Sequence, residues 1–156
     1  MAEDLQITAT TKTERYQELI PQFTALLDNN RLANMANLCA ALKYGMNFFW
    51  VGFYMVEGDE LVLGPFQGPV ACTRIAYGKG VCGAAWQKQT TIIVDDVDQF
   101  PGHIACSSLS KSEIVIPLFN SKNEIIGVLD VDSDAYGSFD SIDETYLKQL
   151  LQLLQF

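Results

Sequence analysis

Two segments of this chain each read as a strand, a tight turn and a returning strand, and together they dictate a sheet. The first is FFWVGFYMV at 48–56, the turn Glu57-Gly58-Asp59, and ELVLGPF at 60–66. The second is EIVIPLF at 113–119, the turn Asn120-Ser121-Lys122-Asn123, and EIIGVLDVD at 124–132. β-Branched and aromatic residues fit a pleated, half-buried surface, while Gly, Asp, Asn and Ser supply turn geometry. Connections this short make antiparallel pairs, because parallel neighbours need a crossover of about a dozen residues or more. A lone hairpin is marginal in water, so its apolar face must be covered.

The cover is encoded at the two ends. Residues 11–28 carry Tyr16, Leu19, Ile20, Phe23, Leu26 and Leu27 near helical spacing, and Pro21 predicts a kink or break inside that helix. Residues 31–44 predict a second helix closed by Gly45 as its C-cap. Residues 139–155 predict a last helix, capped by Asp140 or Ser141, with Glu144 three residues after Ser141 as in a capping box. Between the hairpins, 69–76 and 91–94 read as short strands and 81–88 as a short helix. The expected fold class is α+β, a central, mostly antiparallel sheet flanked by N-terminal and C-terminal helices. At 156 residues, one domain spanning 1–156 is expected.

Charge narrows the function. Ten basic against nineteen acidic side chains leave −9, with no clustered Lys/Arg face to meet phosphates or an anionic membrane. No nucleic-acid or membrane partner is therefore expected. No apolar run reaches the ~20 residues that span a bilayer. The opening, MAEDLQITATTKTER, lacks the apolar core of a signal peptide, so a cytoplasmic protein is expected.

Four cysteines, Cys39, Cys72, Cys82 and Cys106, are too sparse for a secreted disulfide scaffold. Cys39 lies among Leu38, Ala40, Ala41 and Leu42 and reads as a buried small hydrophobe. Structural zinc sites use cysteine pairs two to four residues apart, which pre-organise half a tetrahedron. Here C-x9-C and C-x23-C separate Cys72, Cys82 and Cys106, so no metal site is expected from spacing. Thiol redox chemistry has no such spacing requirement. Cys82 falls at the start of the short helix, where amide N–H groups favour a thiolate. Cys106 lies with His103, the single histidine, in the 95–110 connection. That connection is too long for a simple loop and too apolar for disorder, and reads as a lid. Either Cys82 or Cys106 fits the part of reactive thiol.

Asp130 and Asp132 are two apart and so share one face of a strand. They read either as solvated residues past the strand end at Leu129 or, with Glu113, as an acidic pocket. Clustered carboxylates raise one another's pKa, which suits a proton donor, and they suit a ligand's ammonium group. Trp50 and Tyr54, four apart, also share a face and fit either core or pocket.

The words CTRIAYGKGVCGAAW, FPGHIAC, SEIVIPL and GVLDVDS resemble the free methionine-(R)-sulfoxide reductases, single GAF-domain enzymes. The resemblance implies Cys106 as catalytic cysteine, Cys72 as principal resolving cysteine and Cys82 as a third redox thiol. It implies Glu113, Asp130, Asp132, Trp50 and Tyr54 as substrate-binding residues. It leaves Cys39 structural and assigns His103 nothing. No cofactor is implied beyond an external dithiol such as thioredoxin, and a homodimer is expected by analogy. The alternative from another class is a GAF-type ligand-binding or redox-sensing module without turnover.

Overall fold

The first helix begins where a side chain can replace missing helical hydrogen bonds. Thr11 accepts from the Glu14 amide to start α1, Lys12–Ala25, and Asn30 accepts from the Ala33 amide to start α2, Arg31–Met46. The structure, a computed structural model, describes residues 4–104 and 106–156. α1 runs through Pro21 without a break. Pro21 and Gln17, whose carbonyl loses its helical partner there, both face solvent, so water can satisfy that carbonyl.

Gly45 is not the cap of α2. That position belongs to Asn47, in the left-handed conformation at φ 58°. Gly45 is instead buried inside the helix, where a Cβ would stand 2.6 Å from Leu19 Cδ1 of α1. The glycine lets two helices approach, rather than ending one.

The strands are β1 Trp50–Glu57, β2 Glu60–Gln67, β3 Arg74–Ala76, β4 Ile92–Val94, β5 Ser112–Phe119 and β6 Ile125–Ser133. α3, Gly80–Lys88, lies between β3 and β4. A 3-10 turn, Val97–Gln99, follows β4, and α4, Ser141–Gln152, closes the chain. The sheet order is β3-β2-β1-β6-β5-β4, antiparallel at every neighbouring pair. The expected strand at 69–76 survives only at Arg74–Ala76. Pro69 has no amide to give a ladder, and the chain from there to Thr73 is a loop.

Alternation splits the sheet into two faces. Val51, Phe53, Ile114, Ile116, Leu129 and Val131 point to one core, filled by Leu19, Phe23, Leu38, Leu42, Leu147 and Leu150 of α1, α2 and α4. Trp50, Tyr54, Val115 and Val128 point the other way, toward Val81, Cys82, Ala85 and Trp86 of α3. α4 is capped by Asp140, whose box partner is Asp143; Glu144 instead pairs with Lys148 at 2.6 Å. No helix among the described residues is long and apolar enough to cross a membrane.

Candidate active site

The acidic residues are brought together by strand register. Across β5 and β6, Glu113 stands opposite Asp132 and Val115 opposite Asp130. Across β1 and β6, Trp50 stands opposite Asp132, Gly52 opposite Asp130 and Tyr54 opposite Val128. All of these share the α3 face. β6 continues to Ser133, so Asp130 and Asp132 are strand residues and not solvated turn residues. Glu113 and Asp130 are buried at 5% and 6% exposure, and Asp132 is half-buried.

Burial makes this cluster hold protons. Loss of solvation, then the charges of Asp130 and Asp132, push the Glu113 carboxyl well above its usual range. Asp132 is pushed up by burial and then by Asp130, and Asp130 by burial itself. Among the described residues no Lys or Arg pairs with any of the three. Asp130 Oδ1 is buried without a hydrogen-bond partner. The arrangement can give a proton to a bound group or accept a cationic one.

α3 lays Cys82 on this cluster, with Sγ 3.9 Å from Glu113 Oε1. Burial first, then Asp130 and Glu113, push the Cys82 thiol well above its usual value. The helix-start argument for a Cys82 thiolate is thereby overturned. A helix dipole contributes about 0.3–1 kcal/mol at an exposed terminus, less than the cost of burying an unpaired charge beside carboxylates.

Cys106 meets Cys72 in a disulfide, with Cα atoms 5.4 Å apart. Both cysteines are half-buried, and Cys106 lines the cleft. The aromatic residues hold the loop that carries Cys72. Tyr54 donates its hydroxyl to the Cys72 carbonyl at 2.8 Å, and Trp50 Nε1 donates to the Pro69 carbonyl at 2.9 Å. At 4% and 2% exposure, Trp50 and Tyr54 belong to the core and to the cleft wall at once. Gly52, between them on the same face, was not singled out from sequence. A Cβ there would stand 2.5 Å from the Trp50 ring and from Phe66 Cβ, so only glycine leaves room for the indole. A glycine inside an aromatic strand was the available signal.

Part of the long connection after β4 borders the cleft, through His103, Ile104, Cys106, Ser107 and Ser110. Val97 anchors it, 2% exposed, with its amide donating to the Lys111 carbonyl at 2.9 Å. Ile104 lies against the start of α3 at Gly80. His103 Nε2 comes within 4.0 Å of Glu113 Oε2, and burial lowers the imidazole's pKa, favouring its neutral form. Cys82, Cys106, Glu113, Asp130, Asp132, Trp50 and Tyr54 thus line one cleft. Cys39 lies elsewhere. It packs fully buried in the core of α1, α2 and α4, its Sγ donating to the Pro65 carbonyl at 3.3 Å, and burial pushes its pKa up to about 12.

The chain as a whole is similar to known proteins. A GAF-domain family model matches residues 35–156. "GAF domain-containing protein A" of Dictyostelium discoideum is 64% identical over 99% of this chain and 99% of its own length. Free methionine-R-sulfoxide reductase of Escherichia coli is 48% identical over 92% of this chain and 88% of its own. A crystal structure of the free methionine-R-sulfoxide reductase of Neisseria meningitidis, in complex with its substrate, superposes with a TM-score of 0.94. It is 50% identical and covers 99% of this chain and 94% of that one.

Proposed function

This chain belongs to the free methionine-R-sulfoxide reductases, built on a GAF domain, and from that premise we propose that it reduces free L-methionine-(R)-sulfoxide to methionine. The observation that carries the reading is the Cys72–Cys106 disulfide at a cleft floored by buried carboxylates. A dithiol that closes on itself is the product expected after a sulfenic acid has been trapped.

In the first step the Cys106 thiolate attacks the sulfoxide sulfur. The S–O bond breaks only if the oxygen is protonated, and Glu113, Asp130 or Asp132 supplies that proton, which burial helps the cluster to retain. The protonated oxygen then passes from the substrate sulfur to Cys106 Sγ as the newly formed Cys106–sulfur bond breaks, so that methionine leaves and Cys106 remains as sulfenic acid. The Cys72 thiol condenses with it, forming the disulfide and releasing water. An external dithiol such as thioredoxin then gives up two electrons and two protons to restore both thiols. Cys82 serves as a third thiol for exchange during recycling. The chemistry needs no resident cofactor.

The same cluster selects the free amino acid. Carboxylates without a Lys or Arg partner accept an α-ammonium, which a peptide-bound methionine lacks. Trp50 packs against the S-methyl group. The lid over 95–110 excludes bulk peptide and opens for the reductant. Residues 1–156 act as one GAF-type unit, in the cytoplasm, as a homodimer.

The test is product formation by two variants. Cys106→Ser should form no methionine even without turnover, whereas Cys72→Ser should complete a single turnover and then fail to recycle with thioredoxin. Full activity in Cys106→Ser would overturn the assignment. Equal turnover of peptide-bound sulfoxide would overturn the ammonium pocket.

A further inference from the structure

The acidic floor contains more than a proton donor needs. Cys82 Sγ, a Glu113 carboxylate oxygen and an Asp130 carboxylate oxygen all lie within 4.8 Å of one another, and all three residues are buried. They come from α3, β5 and β6, so their sequence spacing gave no sign of a ligand set. His103 Nε2 borders this group, 4.0 Å from Glu113 Oε2, without belonging to it. We propose that this floor is an inhibitory site for a borderline divalent cation, zinc foremost, ligated by Cys82, Glu113 and Asp130.

Three observations support a cation here. Asp130 is 6% exposed, and its Oδ1 has no hydrogen-bond partner. A buried carboxylate oxygen in that condition lacks the compensation that folded proteins usually provide. No Lys or Arg among the described residues pairs with Glu113, Asp130 or Asp132, so the floor's carboxyl groups have no side-chain ammonium or guanidinium partner. The donor set then narrows the ion. A thiolate disfavours magnesium and calcium, which take oxygen ligands, whereas sulfur and carboxylate oxygen together suit zinc.

One donor pair is close to the separation required, and the rest lie within 4.8 Å. Tetrahedral bonds of 2.0–2.3 Å place neighbouring donors roughly 3.3–3.6 Å apart. Cys82 Sγ and Glu113 Oε1 stand at 3.9 Å, so the ligands need contract by only a few tenths of an ångström at that pair. Binding releases the protons held by the thiol and the carboxyls and leaves the metal in their place. The metal thereby removes the proton donor and takes the position of a substrate ammonium. The competition with substrate rests on the reductase reading; the binding does not.

The disulfide form is the state to test, because Cys72 and Cys106 are then unable to ligate and only Cys39 and Cys82 remain as thiols. Cobalt(II) titrated into that form should give a thiolate-to-cobalt charge-transfer band and the visible bands of tetrahedral cobalt, both bleached by zinc. Cys39→Ser should keep the band, and Cys82→Ser should lose it. Cys82→Ala serves the same arm if the serine variant does not fold. Glu113→Gln should weaken binding by at least the roughly 10–100-fold that loss of an outer-shell partner costs. Absence of the band in the wild type, or its survival without Cys82, would overturn the site. Free methionine-R-sulfoxide should displace cobalt. A band that forms and resists the sulfoxide would leave the cation site standing and overturn the placement of substrate on these carboxylates.

Discussion

Asp143 and Asp130 are both buried carboxylates, 0% and 6% exposed, in opposite company. Asp143, on α4, accepts from Tyr16 Oη at 2.7 Å, from Lys12 Nζ at 2.6 Å and from the Asp140 amide at 2.9 Å. It ties α1 to α4 and caps its own helix. Asp130, on β6, has two acidic neighbours, a thiol and an oxygen with no partner. Burial is common to both, so burial does not mark function. What separates them is compensation. A buried carboxylate whose lone pairs are all met stabilises the fold, and one left short of partners is held ready for a ligand or a proton.

The largest effect should come from the uncompensated site. Removing the proton donor by Glu113→Gln, Asp130→Asn or Asp132→Asn should lower kcat/KM by about 10²–10⁴-fold, the usual contribution of general acid catalysis. The variant with the greatest loss identifies the donor. Thermal stability should hold or rise, since a buried repulsion is relieved. A variant of this set that unfolds while its folded fraction retains full activity would break the contrast.

Asp143→Asn should do the reverse. It replaces one of the two acceptor oxygens, which serve Tyr16 and Lys12, by an amide donor, and should cost about 1–3 kcal/mol of stability by urea unfolding, with activity per folded molecule unchanged. The pH dependence of stability sharpens the same point. Glu113, Asp130 and Asp132 keep their protons to higher pH in the folded protein than in the unfolded chain. The folded state therefore binds more protons above the ordinary carboxylate range, and stability falls as pH rises from that range through the raised values. Glu113→Gln should flatten this fall in urea midpoints, and an unchanged slope would count against the raised Glu113. The smallest effect belongs to the structural thiol. Cys39→Ala should cost about 1 kcal/mol of stability, a small core truncation, and leave turnover intact.

Most of the sheet was legible because its signals are local. The two hairpins, the parity of Trp50 with Tyr54 and of Asp130 with Asp132, and the short helix carrying Cys82 each depend on neighbours a few residues away. The errors were of another kind. Gly45 looks like a helix stop until Leu19 of another helix is seen against it. Glu144 has the right spacing from Ser141 for a capping box, but Asp143 is drawn into that role beside Asp140, Lys12 and Tyr16. Cys82 has the local position of a reactive thiolate and the tertiary surroundings of a protonated one.

By itself, then, the sequence determined an antiparallel sheet with helices at both ends, which residues share a face, and which words carry the family resemblance. Those are properties of period and turn chemistry. Only the tertiary structure decided that Glu113 stands opposite Asp132, that Cys106 reaches Cys72 across 34 residues, and that Asp143 is satisfied while Asp130 is not. Register, chain closure and desolvation are set by atoms far away in the chain, and the energy of a buried charge depends on which of them are its neighbours.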